Sequence, residues 1–276
     1  IGTGITPLNN LTITNAASAA FNGVINSDTI TISDITDGGL LNFLGNLNVY
    51  TGMTVSPNGA YNVEILELST ITGETTFGNS GLLTLGNVGS DIFNFTGGII
   101  ATNPSAINLR GTITAAGTGL ITLGDSDTAI TIKSGSGFVG GTSTGAITLG
   151  NAILEDGVTL TVGTGIANTL NLAAVTGVAL GASSNLTINT TGAVTVSGAV
   201  GTDIGLLTIT NSGGTTFQST VNSATATITN TNGTVAFQGD LNLGTSLVTA
   251  AQGYNISITG SSNNIAAATS FLNTGT

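Results

Sequence analysis

The sequence predicts an all-β chain wound as a parallel β-solenoid, and three observations carry that expectation. The stretch 206–243, LLTITNSGGTTFQSTVNSATATITNTNGTVAFQGDLNL, holds the same wording twice. Thr208-Ile209-Thr210-Asn211 returns as Thr227-Ile228-Thr229-Asn230 after 19 residues, and Phe217-Gln218 returns as Phe237-Gln238 after 20. Within each copy, apolar and polar residues alternate in three short segments. Side chains of a strand point to opposite faces with period two, so Leu207 and Ile209 face inward while Thr208 and Thr210 face solvent. Asn, Ser, Gly and Thr separate the segments, as turns require. Three strands per 19 to 20 residues make one coil, which can bury its inward side only by stacking on its neighbours. At that coil length the chain makes roughly 14 coils, stacked at about 4.8 Å, in a rod of about 65 Å.

Composition excludes the alternatives. Charged residues are 5% of the chain against about 25% in an ordinary globular protein. A disordered chain would lack the 40% hydrophobic content and its alternation. Polar residues interrupt every apolar run before the roughly 18 residues of a membrane helix. Cysteine is absent, so there is neither a disulfide framework nor a thiolate zinc site. That absence fits a protein exported unfolded across an outer membrane. Thirteen acidic residues face only Arg110 and Lys133, giving a net charge of −11. Such a chain cannot neutralise phosphates, which argues against nucleic acid and against anionic membranes.

Read in order, the first third of the chain repeats in the last quarter. Leu11-Thr12-Ile13-Thr14-Asn15 matches Leu207-Thr208-Ile209-Thr210-Asn211, and Phe21 matches Phe217. Phe43 aligns with Phe237, Tyr61-Asn62-Val63 with Tyr254-Asn255-Ile256, and Phe77 with Phe271. A long-period repeat of about 194 residues, with offsets from 193 to 196, thus relates 11–81 to 207–276. Between the copies, Leu83-Thr84-Leu85-Gly86-Asn87 recurs as Ile121-Thr122-Leu123-Gly124-Asp125 after 38 residues, which reads as two coils of 19. It recurs once more as Ile147-Thr148-Leu149-Gly150-Asn151 after 26, so one coil carries an insertion, expected at Gly135-Ser136-Gly137 and Gly140 to Gly145. Further strands are expected at 158–162, 170–172, 178–180, 186–188 and 194–196. Pro7, Pro57 and Pro104 mark turns, and nothing reads as a helix. With no linker or break in composition, 1–276 reads as one continuous solenoid. The start at Ile1 and the stop at Thr276 inside a coil read as a piece of a longer repetitive protein. The end coils have no caps, so neighbouring repeats or copies are expected to stack end to end. Phe21 with Phe43, and Phe217 with Phe237, are expected to stack as interior ladders.

The L-T-I-T-N and L-T-L-G-N/D coils, the G-T-T-F and N-G-T-V connections and the recurring Tyr-Asn-Val/Ile units resemble the passenger regions of filamentous-haemagglutinin-like exoproteins and autotransporter adhesins. The resemblance covers essentially the whole chain. It implies a right-handed parallel β-helix, export to the bacterial cell surface, and a structural or adhesive, non-catalytic role in a fibre. Partners would be neighbouring repeats, surface glycans or a host or neighbour cell surface.

Candidate chemistry is sparse. Histidine and cysteine are absent, which excludes Ser-His-Asp and Cys-His constellations and histidine metal sites. A polysaccharide-cleaving β-helix would need paired carboxylates about 5 to 10 Å apart, for which Glu64 with Glu67, Glu155 with Asp156 and Asp125 with Asp127 are the candidates. A lyase would need Arg110 or Lys133 in a cleft beside them. Asp125-Ser126-Asp127 offers alternating oxygens to calcium, without the Gly-Gly-x-Gly-x-Asp nonapeptide of calcium β-rolls. No other cofactor is implied. The pairs Thr12/Thr14, Thr29/Thr31, Thr112/Thr114, Thr208/Thr210 and Thr227/Thr229 raise an ice-binding surface as a minor alternative, against the plain β-propensity of exposed threonine. Sequons such as Asn10-Leu-Thr and Asn185-Leu-Thr are those expected by chance in so Asn- and Thr-rich a chain.

Overall fold

Alternation of Val, Ile, Leu and Phe with Thr, Asn and Ser makes almost every segment a strand with one apolar side. A computed structural model of the chain describes residues 6–275; Ile1 and Thr276, where the cut-end readings fall, lie outside them. Among the described residues there are 29 strands, from Leu8–Ile13 to Asn264–Ile265, and no helix. Every pairing is parallel and joins a strand to its counterpart one coil away. The chain is a parallel β-solenoid of about 12 turns, a β-helical repeat protein.

Each coil has three faces. In the fourth coil these are Ser69–Ile71, Thr75–Phe77 and Leu82–Leu85, on the first, second and third face. Some strands run around a corner: Ala106–Ala115 starts on the third face and ends on the first, with a register irregularity between Leu109 and Gly111. Gly111 sits there at φ 110°, and a Cβ would lie 2.3 Å from the Asp91 carbonyl oxygen, so only glycine fits the corner.

The inward columns form one continuous core. On the second face the column begins Ile13–Ile32–Val55 and closes Val196–Phe217–Phe237–Ile258. Leu207 and Ile209 are buried and Thr208 stands outside, as the alternation requires. Phe21 stacks on Phe43 with centroids 5.3 Å apart, and Phe217 on Phe237 at 5.0 Å.

Four details correct the sequence reading. Coils are not uniform: paired positions are 19 residues apart at Leu206 and Thr225, 22 at Leu47 and Ser69, and 26 at Ile121 and Ile147. The count is therefore about 12 rather than 14. Leu83 pairs with Val63 and Ile107 on the third face, whereas Ile121 pairs with Ile99 and Ile147 on the second, so the 38-residue interval is no whole number of coils. The insertion lies at 133–136, where four residues stand opposite Arg110 alone; Gly140 and Gly141 are back in register with Thr114 and Ala115. Finally, the strand expected at 178–180 is Val175–Gly177. Val175 continues the column from Ala152, which leaves Val178 and Leu180 in the following corner, Leu180 wholly exposed at φ 74°.

Candidate functional site

Strand residues in a solenoid pair with their neighbours, so the chemistry is decided at the corners and on the outward columns. The corner between the first and second faces holds an internal polar column that alternation alone does not reveal. Ser143, Asn168, Thr190, Ser212 and Thr231 are buried there in successive coils. Four of them reach one coil back, while the Ser212 hydroxyl shares a hydrogen bond with Thr231 one coil ahead at 2.7 Å. Ser143 Oγ donates to the Gly119 carbonyl at 2.6 Å, Asn168 Nδ2 to that of Ser143 at 2.6 Å, and Thr190 Oγ1 to that of Asn168 at 2.6 Å. Thr231 Oγ1 donates to the Ser212 carbonyl at 2.9 Å. These bonds satisfy carbonyls that leave the ladder where the chain turns. The signal in the sequence was a Ser, Thr or Asn recurring once per coil, but unequal coil lengths concealed it.

Four carboxylates act at corners in the opposite sense, by accepting backbone amides. Asp37 accepts the Ala60 amide at 2.7 Å, Asp91 those of Asn87 and Val88 at 2.9 and 3.0 Å, and Asp240 that of Ser262 at 2.8 Å. Asp125 Oδ1 accepts the amides of Asp127 and Thr128, both at 2.9 Å, so the calcium candidate closes a turn with its own carboxylate. No cluster of three or more His, Cys, Asp or Glu able to hold a metal occurs among the described residues. Glu64 stands on the outward side of the third face opposite Asn42 and Thr84, with Glu67 beyond it in the corner. Glu155, beside Asp156, forms an ion pair with Lys133 at 3.1 Å.

Both cations occupy one corner. Arg110 and Lys133 follow paired residues Leu109 and Ile132 where the third face turns into the first, and Arg110 donates to the Asn87 carbonyl at 2.7 Å. Two of the three phenols, Tyr61 and Tyr254, are also structural, whereas Tyr50 is exposed. Burial, with the charge of Asp34, pushes Tyr61 up to about 12, while Tyr61 Oη donates to the Ser56 carbonyl. Burial raises Tyr254 as well, against the opposing hydrogen bonds at Ala250 and Thr249.

One open groove of about 570 Å³ runs along the second face, beside its corner with the third. Thr122, Thr148, Asn171 and Thr195, stacked in four successive coils, line one side. Gly124, Gly150 and Ala173 form a low floor. The groove exists because the corner shortens abruptly. The chain takes from Leu123 to Ile130 to round it in the sixth coil, but only from Leu149 to Ala152 in the seventh and from Leu172 to Val175 in the eighth. The longer turn, with Asp125 and Ser126, closes one end. The groove and the two cations thus lie at different corners.

The column lining the groove is part of a longer one in which eight of twelve outward positions are threonine, from Thr12 and Thr31 to Thr195 and Thr216. The Thr-x-Thr pairs divide between faces. Thr12 and Thr31 belong to the second, whereas Thr112, Thr208 and Thr227 belong to the first. No family model, curated protein or solved structure matches the chain. No helix among the described residues is long and apolar enough to cross a membrane.

Proposed function

We propose that the chain is a structural and adhesive segment of an extracellular, cell-surface fibre, with no catalytic role of its own. The observation that carries this reading is the parallel ladder through about 12 turns, in which Asp37, Asp91, Asp125 and Asp240 are engaged in closing corners. A rod of this kind transmits load through backbone pairing in every coil and needs no charge on its surface to fold. The wording of the Leu11–Asn15 and Leu207–Asn211 coils, similar to filamentous-haemagglutinin-like passenger regions, supports the surface location. Neighbouring repeats or copies join coil on coil, by the same parallel pairing that joins the coils here. Immunoelectron microscopy of the producing cells, with antibody raised against the purified chain, tests the reading. Label along surface fibres is the expected result, and label confined to the cell interior would overturn it.

A further inference from the structure

We infer that the groove on the second face is a binding site for an extended, uncharged polysaccharide lying along the solenoid axis. The first ground is hydrogen-bonding capacity. Some outward polar pairs satisfy one another: Asn48 Nδ2 donates to Asn26 Oδ1 at 2.9 Å, Asn242 to Asn222 at 3.0 Å, Thr29 to Asn10 at 2.9 Å and Thr114 to Asn94 at 3.3 Å. Along the groove, the side chains of Thr122, Thr148, Asn171 and Thr195 make no such bond among the described residues. Four successive coils therefore present free hydroxyl and amide groups in a row, at about the 4.8 Å strand spacing. A linear polymer of hydroxyl-bearing units answers such a row at each coil.

The second ground is shape. The shortened corner sets the floor at Gly150 and Ala173 below the turn at Asp125 and Ser126, giving a trough with an axial direction and one closed end. The third is charge. The one charged group lining the trough is the Asp125 carboxylate, both cations stand at another corner, and the chain carries −11. Polyanionic glycans are repelled and uncharged ones are not. An extended peptide is a poorer occupant. Peptides commonly bind by adding a strand to an open sheet edge, and the strands beneath the groove already pair on both sides, as Ile147–Leu149 does with 121–123 and 170–172. The inference does not depend on the fibre reading, since it is measured on the purified chain.

Affinity electrophoresis through gels containing hydroxyethyl cellulose, with polygalacturonate as the charged counterpart, tests it. The chain is expected to be retarded by the first polymer and not by the second. A Thr148→Val/Asn171→Leu variant, which removes two hydrogen-bonding groups, is expected to bind about tenfold more weakly. Thr216→Val, on the same column beyond the groove, is expected to behave as the parent. Ala173→Arg fills the floor and is expected to abolish retardation by a separate route, with circular dichroism confirming that each variant keeps its fold. Absence of retardation by hydroxyethyl cellulose, stronger retardation by polygalacturonate, or unchanged binding in both groove variants would overturn the proposal.

Discussion

Residues 11–81 and 207–275 carry nearly the same wording, yet the structure builds the same parts from it on different faces. Ile13 pairs with Ile32 on the second face, whereas the matching Ile209 pairs with Ile228 on the first. Phe21 and Phe43 stack on the third face, Phe217 and Phe237 on the second. The Asn26–Asn48 bond lies on the first face and its counterpart Asn222–Asn242 on the third. Asn79 donates to the Tyr61 carbonyl at 3.1 Å, and Asn273 to the Tyr254 carbonyl at 3.1 Å. The long repeat is therefore one face short of nine coils. The unit that the fold conserves is a strand with its corner, because all three faces border the same core and offer a strand the same inward environment. The rotation has a consequence for the surface, since whatever the repeat displays outward appears at two angles around the rod.

The strongest way to break the equivalence is to remove the aromatic stacks. Phe43→Ala and Phe237→Ala are each expected to cost about 3 to 5 kcal/mol, with Phe21→Ala costing less because Phe21 is only partly buried. Denaturant unfolding followed by circular dichroism measures all three. A loss below about 1 kcal/mol at Phe237, beside a full loss at Phe43, would show that the two faces are not interchangeable.

The corner amides come next. Asn79 is wholly buried, so Asn79→Ala is expected to cost about 1 to 3 kcal/mol by leaving carbonyls unpaired. Asn273→Ala should cost less, since Asn273 is partly exposed. Equal losses in the same unfolding experiment would mean that burial does not set the strength of this bond.

Outward amides are worth less. Asn48→Ala and Asn242→Ala are each expected to cost about 0.5 to 1.5 kcal/mol, and similar midpoints for the two variants would support the equivalence of the first and third faces. A difference above about 1 kcal/mol would end it.

The subtlest comparison is spectroscopic. With its pKa raised to about 12, folded Tyr61 holds its proton more tightly than the unfolded chain, whose tyrosines titrate near 10. Its contribution to stability is complete below pH 10 and is lost as the pH climbs from 10 towards 12. Absorbance of the phenolate at alkaline pH, parent against Tyr61→Phe, should show this component rising above pH 11. A component titrating near 10 in the folded chain would contradict the burial of the phenol.

Much of the fold was legible in the residues. Period-two alternation is local, so the inward assignment of Leu207, Ile209, Phe217 and Phe237 follows from the strands themselves, and a one-residue slip would expose the whole set. Parallel stacking follows too, because segments recurring in the same direction every coil can bury their apolar sides only on one another. The candidate site was less legible. Thr148 and Asn171 look like any other outward strand residue until their neighbours across coils are known, and Arg110 and Lys133 share a corner only because a coil closes between them.

What the sequence determined by itself is therefore where most strands lie, the corner at Val178 and Leu180 excepted, which side of each strand is apolar, and that the whole is a parallel solenoid. The tertiary structure alone decided the length of each coil, the face on which each strand lies, and the partners at each corner. The physical reason lies in the corners. Alternation sets a strand's two sides within a few residues, but the chain rounds a corner with anything from the Leu149–Ala152 turn to the longer path between Ile32 and Leu41. Each length is settled with hydrogen bonds to a neighbouring coil, such as the one Asn168 donates to the Ser143 carbonyl and the one Asp37 accepts from the Ala60 amide, and those partners are about one coil away in sequence.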